Sequence, residues 1–253
     1  MFPWSRPYCP CDPATKDWIE KSLAYLCREF SSNIFTDRLL VLPTEEFFSL
    51  PYEYSRESAE ALFSRICAYM EVSESRVTLK FHHEPNKILF VNDRGDYVPG
   101  PYFGGLYEQS RRGHVITLDS DELQHPAHLI ATMAHELAHA RLRGEGKVRW
   151  DRYDEELLTD LTASVLGFAI FMANSPRVWV SQFSKWPGTE FNRPEYMTAP
   201  MYGYTLAHLA WHQGQRKPQW AKYLGSHVIH DFKDAARFLF KTGESTFITD
   251  VKI

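Results

Sequence analysis

The run Ile130-Ala131-Thr132-Met133-Ala134-His135-Glu136-Leu137-Ala138-His139-Ala140-Arg141-Leu142 constrains this chain more than any other segment. Leu129, Ile130, Met133, Leu137 and Leu142 recur at helical spacing, and small residues fill most of the remaining positions. A helix apolar on nearly every side has to be buried. Burial then carries His135, Glu136 and His139 inside with it, where polar groups need partners. Pro126 suits the first turn of this helix, and Gly144 and Gly146 suit its end.

Composition narrows the classes open to the rest of the chain. Of 253 residues, 44% are hydrophobic and 24% charged, which excludes disordered, collagenous and coiled-coil classes. Lys and Arg total 28 against 32 Asp and Glu, so a net charge of -4 leaves no basic footprint for nucleic acid. The most apolar stretch, Leu161 to Ala173, is shorter than the roughly 18 uninterrupted apolar residues of a membrane span. It also carries Thr162 and Ser164, and reads as a buried core helix. Arg6 and three prolines (Pro3, Pro7, Pro10) precede any apolar run, unlike a secretory signal, so the expectation is a cytoplasmic protein with no membrane partner. Four cysteines are too few for a disulfide scaffold. Cys27 and Cys67 fall in helical patterns. Cys9 and Cys11 form a C-P-C pair, one residue short of the C-x-x-C spacing that suits zinc or redox work.

The remaining pattern predicts helices around a small sheet. Asp12 and Thr15 open a helix through Trp18, Ile19, Leu23, Leu26 and Phe30; a second runs from Ser55 to Met70. Leu39 to Pro43 is a candidate short strand. Val77, Leu79 and Phe81 alternate as a strand, and Ile88, Phe90 and Tyr97 extend the β-rich stretch. A breaker-rich loop from Pro99 to Gly105 follows. Leu106–Gln109 and His114–Leu118 then pair as a hairpin around Arg111-Arg112-Gly113. One helix is expected over Asp154–Asn174, with helical segments near Pro200–Gln213 and Gln219–Lys241. The whole reads as one α+β domain over residues 1–253, with an N-terminal helical extension at about 1–75.

Residues His135-Glu136-Leu137-Ala138-His139 make an H-E-x-x-H motif. Four-residue spacing puts both histidines on one helix face, where they can hold one metal ion. Neutral imidazoles suit zinc. Glu136, adjacent to the first histidine, can act as general base on water without binding the metal. Chance alone yields roughly 0.03 such motifs in a chain of this composition, so a third ligand is required. Glu156-Leu157-Leu158-Thr159-Asp160 supplies one: Glu156 completes a His₂Glu set, and Asp160 one turn on can accept a hydrogen bond from a ligand imidazole. Requiring this E-x-x-x-D cuts the chance expectation to roughly 0.002. Glu155 is the alternative third ligand, but its four-residue partner is Thr159, a poorer acceptor than a carboxylate.

With H-E-x-x-H followed on a later helix by E-x-x-x-D, residues Leu118 to Asp160 resemble the gluzincin zinc metallopeptidases, and among them an uncharacterised bacterial gluzincin-like group. The resemblance implies a zincin-like fold, with a small twisted sheet over an active-site helix and a largely helical C-terminal part. It also implies one Zn²⁺ held by His135, His139 and Glu156, Glu136 as base, and Asp160 behind the ligands. A peptide or protein substrate would then be cut by metal-activated water. In such folds an edge strand before the active-site helix pairs with the substrate. His114–Leu118 occupies that place in the sequence, as an edge strand or a plain internal one.

Peptide hydrolysis further needs a donor to the oxyanion. Tyr204 and His208, with His212 at the same four-residue step, are candidates; the alternative is a partly buried aromatic stripe. A non-catalytic zinc-containing binding or regulatory module is the second functional reading of the same ligands.

Overall fold

The computed structural model describes residues 6–49, 51–82, 89–91, 97–99, 105–110, 113–149, 151–175 and 184–248. Residues 1–5, Ile88, positions 100–104 of the breaker-rich loop, and Arg111-Arg112 of the expected turn lie outside them. The architecture is mixed α+β. The chain forms two compact units: residues 44–151, and residues 1–43 together with 152–253. The helical stretch expected over about 1–75 is divided between these two units.

In the unit of residues 44–151, helix α2 (Arg56–Tyr69) starts at Ser55, whose hydroxyl accepts from the Ser58 backbone N–H in a reciprocal cap. Strand β1 (Val77–His82) follows, and a separate antiparallel pair joins β2 (Leu89–Val91) to β3 (Tyr97–Pro99). β4 (Gly105–Ser110) and β5 (Gly113–Asp119) form the expected hairpin, with Gly105 opposite Leu118. The sheet order is β1-β5-β4, with β1 parallel to β5. His114–Leu118 is therefore the internal strand, and β4 is the edge on that side among the described residues. β5 buries His114, Ile116 and Leu118 on alternate positions, the two-residue period of a half-covered strand. Helix α3 (Pro126–His139) begins at the expected proline and packs against α2 and β4. Every residue from Leu129 to His139 is buried. A wider π-type turn over Ala140–Gly144 ends the helix, and Lys147 N–H closes back on Leu142 O at 2.8 Å.

The second unit is helical. In α1 (Pro13–Glu29), the Asp12 side chain accepts from the Ala14 and Thr15 N–H groups, both at 3.0 Å, and Trp18, Ile19, Leu23 and Leu26 enter the core. The single helix expected over Asp154–Asn174 is two: α4 (Glu155–Ala163) and α5 (Ala169–Asn174). Between them Gly167 adopts φ +110°, a conformation that residues with a side chain rarely take, and a Cβ there would lie 2.8 Å from Leu39 O. The break exposes carbonyls to the segment expected as a short strand. Val41 N–H donates to Gly167 O (2.9 Å) and Arg38 Nε to Leu166 O (3.3 Å), so Leu39–Pro43 binds a helix break instead of a sheet. By length and composition 155–174 resembles a membrane span, yet nearly all of it is buried in the protein.

Helices α6 (Ala199–His212) and α7 (Ser226–Thr242) make the largest helix–helix contact. The expected segment from Gln219 is divided: a 3₁₀ turn spans Gln219–Tyr223, and extended Gly225 precedes α7. The α6/α7 packing is close enough that a Cβ on Gly203 would lie 2.8 Å from Asp231 C and Phe232 N of α7. Backbone cannot swing aside as a side-chain tip can. Gly203→Ala should therefore destabilise the protein by about 1–3 kcal/mol, the usual cost of overpacking. Urea unfolding would read this as a lower midpoint at unchanged slope; an unaltered midpoint would contradict the packing argument.

Candidate metal centre

Helix α3 sets His135 and His139 one turn apart, and their rings meet edge to face at 4.8 Å between centroids and 81°. They are 2% and 5% exposed, and Glu136 beside them is 4% exposed. β4 supports this face. A Cβ on Gly105 would lie 2.9 Å from both Cγ and Oε1 of Glu136 and 2.8 Å from Thr132 Cγ2, so only glycine lets the strand backbone approach. Two residues along, Tyr107 stacks on His139 at 5.7 Å and 19°. The same ring stacks on His114 at 5.5 Å, and Tyr107 Oη bonds to His114 Nδ1 at 2.8 Å. Burial, with Arg76 adding to it, lowers the His114 pKa, which keeps that imidazole neutral. The plane of His139 is thus set by a side chain that is itself fixed from the neighbouring strand.

Glu156 stands in the first turn of α4, half-buried, with Asp160 fully buried one turn on. Asp160 Oδ2 accepts from Met197 N–H at 2.9 Å. Asp154, the residue before α4, is 1% exposed and accepts from Trp18 Nε1 (2.6 Å) and from Arg152 Nε (2.6 Å) and Nη2 (3.0 Å), which fixes where the helix starts.

In one unit α3 offers the two imidazoles of His135 and His139, and in the other α4 offers the carboxylate of Glu156 from its first turn. Two imidazole nitrogens and a carboxylate oxygen are donors that zinc takes, so the residues fit the ion that the sequence suggests.

Tyr204 and His208 sit on α6 in the helical unit. Both are fully buried on α6, and Tyr204 Oη donates to Glu20 Oε1 at 2.6 Å. Glu20 also accepts from Lys16 Nζ (2.9 Å), Thr246 N–H (3.1 Å) and Thr246 Oγ1 (2.7 Å). Burial opposes its ionisation, but the bonds from Lys16, Tyr204 and Thr246 outweigh it and hold its pKa down to about 2. Burial, then the bond to Glu20, raises the Tyr204 hydroxyl. His208 packs edge-on to Tyr204 at 4.7 Å and stacks on His212 at 5.8 Å. Its Nε2 is 3.9 Å from Glu20 Oε1, beyond hydrogen-bond range. Burial lowers His208 to about 3, with His212 adding to it, and burial lowers His212 to about 4. Sequence reasoning missed Glu20; its signal was a carboxylate flanking the apolar Ile19–Leu23–Leu26 stripe, four residues from Lys16. His128, near the start of α3, bonds through Nδ1 to buried Glu122 Oε2 at 2.5 Å.

No protein-family model, curated protein or solved structure matches the chain.

These shifts fix an acid dependence. His208 and His212 are neutral in the fold but take up protons when unfolded, so their contribution fades as pH falls from 6.5 towards about 3 and 4. Glu20 is fully stabilising above its ordinary 4.5, and that contribution is lost as pH falls towards about 2. Each proton steepens the acid limb by about 1.4 kcal/mol per pH unit. Urea midpoints against pH should therefore flatten below 6.5 in His208→Leu, but only below about 4.5 in Glu20→Gln. Parallel profiles for wild type and both variants would refute the assignment.

Proposed function

We propose that this chain is a gluzincin-like zinc-dependent hydrolase, a metallopeptidase acting on a peptide or protein substrate in the cytoplasm. The observation that carries the reading is the buried His135–His139 pair on one face of α3 with Glu136 buried beside it, and the E-x-x-x-D of Glu156 and Asp160 on α4 supports it. Zinc, when bound, supplies Lewis-acid polarisation of a carbonyl and a lowered pKa for water. His135 and His139 bind through ring nitrogens and Glu156 through a carboxylate oxygen. Glu136 takes the proton of the attacking water on its carboxylate and delivers it to the leaving amine. The close approach of Gly105 restricts the Glu136 side chain, which favours one proton-accepting geometry. Tyr107 restricts the His139 ring in the same way. β4, the edge strand among the described residues, offers its outer N–H and C=O groups to an extended peptide, a role for which His114–Leu118 was one of two readings and which its internal position leaves to β4. Asp160 orients a ligand imidazole from behind, while Met197 N–H holds its other side.

Metal analysis and hydrolysis assays on one set of variants test this. His135→Ala should lose stoichiometric zinc. Glu136→Gln should keep zinc and fold while hydrolysis falls by about 10²–10⁴-fold, the usual worth of a general base. A His135→Ala protein with full zinc would refute the ligand set. Zinc retained by wild type with no hydrolysis of any peptide would favour the non-catalytic module.

Asp160→Asn should weaken zinc affinity or activity by about 10–100-fold, less than loss of a ligand. Chelator competition on the two proteins measures it; equal affinities with equal activity would remove Asp160 from the site.

A further inference from the structure

The helical unit holds an open cleft of about 380 Å³, lined by α1, the chain at 152–154 and the turn at 186–189. None of the proposed metal ligands lines it. Its size is that of a small-ligand site, for which about 300–1,000 Å³ is usual. The walls are set before any ligand arrives. Trp18 and Trp186 pack at 5.5 Å between ring centroids, and each indole N–H is committed: Trp18 Nε1 to Asp154 Oδ2 (2.6 Å), Trp186 Nε1 to Thr15 Oγ1 (3.2 Å). Asp154, 1% exposed, also accepts from Arg152 Nε and Nη2. Walls fixed in this way lower the ordering cost of binding.

The charges decide what the cleft can take. Its two tyrosines already carry cations: the Arg152 guanidinium lies 5.3 Å from the Tyr25 ring centroid, and that of Arg193 lies 5.5 Å from the Tyr153 ring. A ligand cation would meet these guanidiniums, so the aromatic rings do not make a cation cage. A guanidinium stacked on a ring keeps its N–H edge for acceptors in its own plane. Asp154 takes two of the five Arg152 donors and leaves three. Asp154 is thereby neutralised. Lys21 Nζ pairs with Asp17 Oδ2 at 2.7 Å, but their side chains are 74% and 53% exposed, and so open a pair is weak and yields to a competing anion. Tyr153, 55% exposed, adds open aromatic surface beside these donors.

We propose that this cleft binds a small molecule made of a flat ring and an anionic group, the ring against Tyr153 and the anion held by Lys21 and Arg152. A carboxylate and a phosphate share this chemistry, since both accept charge-assisted bonds from ammonium and guanidinium groups. The inference stands apart from the zinc reading and does not need it.

Calorimetric titration of the full chain with adenosine monophosphate and with indole-3-acetate tests it. At least one of the two should saturate one site per chain with a Kd of about 1 mM or tighter, while its uncharged half, adenosine or indole, binds about 10-fold or more weakly. A preference for adenosine monophosphate assigns the anion as phosphate; a preference for indole-3-acetate assigns it as carboxylate. Lys21→Glu should weaken the preferred probe by about 10-fold or more, the worth of a bond to a charged group. Tyr153→Ala should weaken it by about 5-fold or more through lost stacking. Asp17→Asn should tighten it by about 2–5-fold, because the competing carboxylate is gone. All three side chains are exposed, so each variant should keep the wild-type circular dichroism and urea midpoint. Failure of both probes to saturate, equal binding of the uncharged halves, or equal affinities in wild type, Lys21→Glu and Tyr153→Ala would overturn the proposal.

Discussion

Two imidazoles and a carboxylate carried inside an apolar helix oblige the surrounding chain to meet their needs, and much of the unit of residues 44–151 is organised around that demand. The order of dependence can be followed residue by residue. His139 has its ring plane set by Tyr107, Tyr107 is held through its hydroxyl by His114, and His114 occupies space that a Cβ on Gly144 would enter, 2.6 Å from its Cε1. Glu136 in turn needs the bare backbone of Gly105. Two glycines, one opening β4 and one closing the turn after α3, are therefore part of the polar arrangement, although neither carries a functional group.

The helical unit solves a related problem in another way. Glu20 is buried and stays ionised because four donors converge on it from α1, α6 and the segment after α7. His208, beside it and without such bonds, accepts the opposite outcome and is neutral. The contrast shows what decides charge in an interior. Burial disfavours both ions, and only the one given hydrogen bonds keeps its charge. Tyr204 is drawn into this arrangement by its hydroxyl, which commits the group to Glu20.

The sequence made the elements legible wherever local chemistry sets them. Asp12, Ser55 and Pro126 mark helix starts by their own side chains, and the alternation in His114–Leu118 marks a half-covered strand. It was silent where one segment answers another far along the chain. Nothing local to Leu39–Pro43 says that its donors go to a helix break near Gly167, and nothing in β5 says that β1 will cover its second edge. In the candidate site, the spacing of His135, His139, Glu156 and Asp160 was readable because helical periodicity converts sequence distance into a shared face. The supports at Gly105, Tyr107 and His114 were not, since they arrive from a sheet whose register no short motif encodes.

The break at Gly167 separates two rotational frames. In a continuous helix, each inserted or deleted residue turns everything beyond it by roughly 100° about the axis, because a turn takes 3.6 residues. Here the helix carrying Glu156 and Asp160 ends before the break, and α5 starts its own frame after it. Length changes on the far side would re-aim Ile170 and Phe171 in the core while the bearing of the two carboxylates stayed as it was. The left-handed glycine thus acts as a clutch between the part of the segment that presents chemistry and the part that only packs.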